Sequence, residues 1–99
     1  VKLRLLTPAK EEFGNTIGYY REIDLRIAKR FVVDVDQVID RILANPERFR
    51  TREKNFRYAK LRRFSYHIVY WIGQGEVVVA AFAHTSMQPL YWLDRVAPE

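Results

Sequence analysis

Ninety-nine residues, 48% of them apolar and 29% charged, suffice for one hydrophobic core and not two, so residues 1–99 read as a single globular domain. The chain has no cysteine, which excludes disulfides and thiolate metal sites, and its longest apolar run, residues 77–83, is far too short to span a bilayer. The net charge of +5 is concentrated: residues 48–63 hold eight bases against the single acid Glu53, leaving the rest of the chain at −2. Such a band on a near-neutral body is the footprint of a polyanionic or acidic-protein partner, or else of a solvated edge strand protected by charge. The first apolar stretch breaks at Thr7-Pro8, so no secretory signal is read, and a cytoplasmic location fits the missing cysteines.

In chain order, residues 2–6 alternate as a first strand. Thr7-Pro8 then opens a short helix, with the Thr hydroxyl as cap, and Ala9, Phe13, Ile17 and Tyr20 form its buried stripe. Gly14 and Gly18, one turn apart, leave room for another backbone to approach. A second helix is capped by Asp24 and ended by Asn45-Pro46. It carries Ile27, Ala28, Phe31, Val32, Val35, Val38, Ile39, Ile42 and Leu43 on one face, with Arg30, Asp34, Asp36, Asp40 and Arg41 on the other. Residues 58–63, 66–72 and 77–83 are rich in β-branched and aromatic types and read as strands. Gly73-Gln74-Gly75 is a tight turn between the last two, and Phe64-Ser65 a weaker one before the middle strand. Pro89-Leu90-Tyr91-Trp92 reads as an aromatic clasp. The predicted fold is α+β, in the order β-α-α-β-β-β: a helical hairpin on one face of a mostly antiparallel four-stranded sheet.

The run Arg57-Tyr58-Ala59-Lys60-Leu61-Arg62-Arg63-Phe64-Ser65-Tyr66-His67-Ile68-Val69-Tyr70 resembles the signature of the RelE/ParE toxin superfamily, with Ser65 where Pro is often found. The ending from Ala83-His84 to Pro89-Leu90-Tyr91-Trp92 resembles that of plasmid-stabilisation members. Leu3 to Ala9 and the Asn45-Pro46 helix end match as well, so the resemblance covers nearly the whole chain. It implies the growth-inhibiting half of a bacterial type II toxin–antitoxin pair. RelE-like members cleave mRNA on the ribosome, without metal; ParE-like members poison DNA gyrase; both are held inactive by a wrapping antitoxin.

Carried over by position, Lys60 stands for one strand lysine of the nucleases and Tyr58 replaces the other. His67 falls where an arginine follows the middle-strand Tyr, Ser86 where the late arginine is expected, and Tyr91 or Trp92 where the C-terminal Tyr lies. A nuclease reading would therefore use Lys60, Arg62, His67 and Tyr91, with His84 as a second imidazole. Ser86 cannot neutralise a phosphorane, so the broken cationic set favours the ParE-like reading, which asks only for a docking surface. The resemblance then points to Arg57, Lys60, Arg62 and Arg63 in the basic band and to His84, Trp92 and Arg95 in the C-terminal segment. An inactive toxin-derived binding domain is the remaining alternative. No cofactor is expected, and no metal site either, since the two histidines have no matching cluster of acids. The expected partners are an acidic antitoxin, whose binding weakens with salt, and gyrase or the ribosome with its mRNA. Assembly as a homodimer or a toxin–antitoxin hetero-oligomer is left open.

Overall fold

A computed structural model of the protein describes residues 1–95. β1 (Lys2–Leu5) leads into α1 (Thr7–Ile23) and α2 (Leu25–Ala44), followed by β2 (Thr51–Glu53), β3 (Phe56–Lys60), β4 (Tyr66–Ile72) and β5 (Glu76–His84). Single 3-10 turns lie at Pro46–Arg48 and Leu93–Arg95. The sheet order is β1-β5-β4-β3-β2, with β1 parallel to β5 and the other neighbours antiparallel. The α+β order and the helical hairpin are those predicted, on five strands rather than four. None of the described helices is long and apolar enough to cross a membrane.

Several local expectations are corrected. α1 is not short: it has 17 residues against 20 in α2. Leu6 is its cap residue, with Thr7 already inside the helix and no side-chain cap bond. Nothing lies within 4 Å of a Cβ built on Gly14 or Gly18, so no second backbone approaches there. Asp24 caps α2 as expected, its carboxylate accepting the Arg26 N–H at 2.8 Å. The unpredicted β2 pairs with β3 through a turn in which Lys54 has φ +52, a conformation the sequence does not advertise with glycine.

The core has two parts because both faces of the sheet are covered. Between hairpin and sheet, Phe31, Val35, Val38 and Ile42 of α2 meet Ala59, Ile68, Tyr70 and Val79. Phe31 sits at the middle of an aromatic cluster with Phe13, Tyr20, Phe64 and Tyr66. On the opposite face Phe56, Val69, Ala81 and Ala83 are covered by Trp92 from the C-terminal segment. Alternation along each strand sends successive side chains to these two cores.

Tyr70 is fully buried beneath α2, and its hydroxyl donates to the Pro46 carbonyl at 2.6 Å. Burial pushes its phenol up to about 12, because the phenolate would be poorly solvated there. Its folded value lies above the unfolded one, so its contribution to stability is complete below the unfolded value and is lost as pH rises toward about 12. Denaturation midpoints measured up the alkaline range should fall over that window, and Tyr70→Phe should flatten the decline.

Candidate functional site

The face of the sheet away from the helices carries Tyr58 and Lys60 from β3 and His67 and Val69 from β4, as strand alternation dictates. Where the C-terminal segment crosses this face it leaves a pocket of about 170 Å³, lined by Tyr58, His67, His84, Thr85, Gln88 and Tyr91 among others. Lys60 stands opposite His67 in the β3–β4 register, and Arg52 lies over the Tyr58 ring at 5.4 Å. The fold thus gathers five of the residues singled out in the sequence around one pocket: Lys60 beside it, and His67, His84, Tyr91 and Trp92 in its lining.

Their states limit what they can do. Burial, reinforced by the nearby Lys60 and Arg52 charges, lowers the His67 pKa, so the imidazole is held neutral. Nδ1 of His84 receives the Ser86 N–H at 3.1 Å and lies 2.7 Å from the Ser86 hydroxyl. The Tyr91 hydroxyl donates to Glu12 Oε2 at 2.7 Å. Its pKa is pushed up by burial first and then by the Glu12 carboxylate, which keeps the phenol protonated. Trp92 is 2% exposed, its ring 4.6 Å from that of Phe56 and 5.7 Å from that of Tyr58, so it presents almost no surface to a partner.

Arg95 and Arg57 hold the fold together. The Arg95 guanidinium lies 2.9 Å from Glu12 Oε2 and donates to the Ala80 carbonyl at 3.2 Å. Arg57 donates to the carbonyls of Glu47 and Phe49, bracing the segment that leaves α2. Sequence reasoning missed Glu12. Its Oε1 accepts the Phe82 N–H at 3.0 Å, so one carboxylate pins α1, β5 and the C-terminal segment together.

Arg62 and Arg63 belong to a different region. β3 ends at Lys60, and the N–H groups of Arg62, Arg63 and Phe64 turn instead to the carboxylate of Asp34, at 3.1, 2.8 and 3.1 Å. Asp34, expected on the solvent face of α2, is 2% exposed. A signal existed: position 34 is three residues after Phe31 and four before Val38, within the buried stripe. The turn brings Arg63 next to α2, where a second pocket of about 250 Å³ is lined by Lys29, Arg30, Val33, Asp34, Gln37 and Arg63. Lys29, Arg30, Arg62 and Arg63 are exposed. The ion pairs among the described residues are Arg4–Glu76, Arg26–Asp24 and Arg95–Glu12, none of which uses these four.

The geometry is that of a known architecture. The solved structure of a chromosomal ParDE toxin–antitoxin system from P. aeruginosa contains a chain similar to this one, with a TM-score of 0.72 over 85% of this chain and 95% of that one. At 16% identity that likeness is one of fold. No curated protein matches the sequence. The profile of the family described as ParE toxin of type II toxin-antitoxin system, parDE, matches residues 3–89, which span both helices and all of the strands but for Lys2. The chain belongs to the ParE toxin family of type II toxin–antitoxin systems.

Proposed function

We propose that this toxin arrests growth by binding DNA gyrase, and that an acidic antitoxin neutralises it by covering its cationic surface. The observation that carries the choice is the state of the pocket on the open sheet face. Cleaving RNA there would need free cations for the phosphate and a titratable acid–base pair. The pocket lining holds no lysine or arginine among the described residues, and the cations beside it, Lys60 and Arg52, stand on β3 and β2 outside that lining. Arg95 is engaged by Glu12, the Tyr91 phenol is spent on the same carboxylate, and His67, its pKa lowered by burial, is a poor general acid. A docking surface needs none of these groups free, and the exposed cations supply long-range attraction to an acidic protein. Gyrase and the ribosome are both cytoplasmic, which sets the compartment of action under either target.

The purified toxin, assayed in parallel on gyrase supercoiling and on translating ribosomes, should inhibit the first and leave mRNA intact. Cleaved mRNA with unimpaired supercoiling reverses the assignment. His67→Gln adds a sharper check. Growth arrest should persist within about twofold, whereas loss of a general acid or base costs about 10² to 10⁴ in rate.

A further inference from the structure

We infer that residues 88–95 form a strap that lifts from the sheet as one unit while both helices and the sheet stay folded. The Glu12 carboxylate is its latch, and Leu90 is held under strain while it is closed. Opening turns the covered second face of the sheet, with Phe56, Val69, Ala81 and Ala83, into an accessible apolar surface. The motion is built into the chain and needs neither a partner nor a particular cellular target.

The strap is attached by side chains alone. Among the described residues, the backbone-to-backbone bonds of residues 88–95 stay within the strap, from the Leu93 N–H to the Leu90 carbonyl and from the Arg95 N–H to the Trp92 carbonyl. β5, just before it, is laddered to β1 on one side and β4 on the other. Residues 85–90, the root of the strap, are exposed, so little packing resists their movement. Anchoring falls to Trp92 in the second core, to Tyr91 and Arg95 on Glu12, and to the bond from Arg95 to the Ala80 carbonyl. The Arg95 guanidinium lies 4.9 Å over the Tyr91 ring, so the two residues that grip Glu12 are packed on each other and leave it together.

Closure carries strain. Leu90 has φ +64, a left-handed conformation in which an L side chain crowds its own backbone. Lys54 shares that conformation, but it sits in the tight turn between β2 and β3, where the reversal of the chain requires it. Leu90 closes no hairpin. Its conformation sets Tyr91 and Trp92 against Glu12 and the sheet, and release of those anchors lets it relax. The latch keeps its place when the strap is away, because Glu12 Oε1 accepts the Phe82 N–H of β5 independently of the strap. A receptor that stays aimed at the empty seat allows the strap to close again.

The chain has no cysteine, so a single introduced thiol reports on one place. Ala81→Cys lies beneath the strap and Ala59→Cys beneath α2, and both alanines are 0% exposed. Under native conditions Ala81→Cys in the full chain should be labelled by a thiol reagent at least about 100-fold faster than Ala59→Cys. Its rate should also depend less steeply on urea, since opening exposes less surface than unfolding. Glu12→Gln added to Ala81→Cys should speed labelling at least about tenfold at the same urea slope, whereas Glu11→Gln, exposed on α1, should stay within about twofold. Leu90→Gly should label about threefold more slowly than Leu90→Ala, since both remove the side chain and only glycine relieves the strain.

Equal labelling of the two cysteines overturns the strap, because the segment then opens only with the whole fold. Labelling of Ala81→Cys without any urea dependence overturns it too, since the reagent then enters through the closed structure. A rate unmoved by Glu12→Gln, or faster labelling of Leu90→Gly than of Leu90→Ala, has the same effect. Where a cysteine variant loses the wild-type circular dichroism spectrum, native-state hydrogen exchange of the unaltered chain decides. The Leu93 and Arg95 amides should then lose protection together, with a urea slope above zero and below that of the β5 amides. A zero slope, which is local fraying, or the full β5 slope overturns the inference.

Discussion

Asp34→Ala should lower the stability of this toxin by about 3 kcal/mol, since hydrogen bonds to a charged group contribute about 1.5–3 kcal/mol each and do not add fully. For a chain of this size that shifts Tm by roughly 12–24 °C. The loss arises because three N–H groups, those of Arg62, Arg63 and Phe64, converge on one carboxylate that is 2% exposed. Within the same turn, Phe64 packs onto Tyr20 and Phe31. Asp34→Asn keeps one acceptor but aims an NH₂ at the same donors, so it should recover less than half of the loss. Urea unfolding of both variants measures this directly. A midpoint for Asp34→Ala within about 0.5 kcal/mol of wild type, the range of ordinary surface substitutions, would mean that water satisfies the turn and that Asp34 does not build it.

Long periodic segments told most of the fold. The apolar stripe of α2 and the β-branched runs of β4 and β5 impose a period that only one arrangement can bury. What stayed hidden depends on single contacts between distant residues. β2 is three residues long, and its turn runs through Lys54 and Asn55 with no glycine, so neither length nor turn chemistry marked it. The end of β3 at Lys60 rather than Arg63 is set by Asp34, 28 residues earlier than its partner Arg62. Glu12 reads as one more helix-surface acid until β5 and Tyr91 are folded onto it.

The candidate site divides along the same line. His67, Lys60 and Tyr91 could be named from position in the superfamily pattern, and strand register then brought Lys60 and His67 side by side. Their chemical states could not be read that way. Whether Arg95 is a free cation or is engaged depends on Glu12 reaching it, and the neutrality of His67 depends on how deeply the C-terminal segment buries it. The four exposed cations by α2 come from two separate stretches of chain, so the basic band at residues 48–63 revealed only half of that surface.

Trp92→Ala should be as damaging as any single change to the second core, at about 3–5 kcal/mol for emptying a buried aromatic site. The indole is 2% exposed and meets the edges of Phe56 and Tyr58. Its removal leaves the C-terminal segment attached chiefly through Tyr91 and Arg95 to Glu12. The consequence reaches His67, whose pKa is lowered first by burial in the same pocket. Water entering beside the truncated residue should raise that pKa toward the ordinary histidine value of about 6.5. Folding of the wild-type chain favours neutral His67, so its stability contribution is present above the unfolded pKa and is lost as pH falls through the lower folded value. Trp92→Ala should flatten that acid decline as well as lower the midpoint. Proton NMR titration of His67 read beside urea unfolding separates the two effects. A lowered midpoint with an unmoved His67 titration would mean that the segment stays seated without its tryptophan, and that the pocket owes its low polarity to the strands alone.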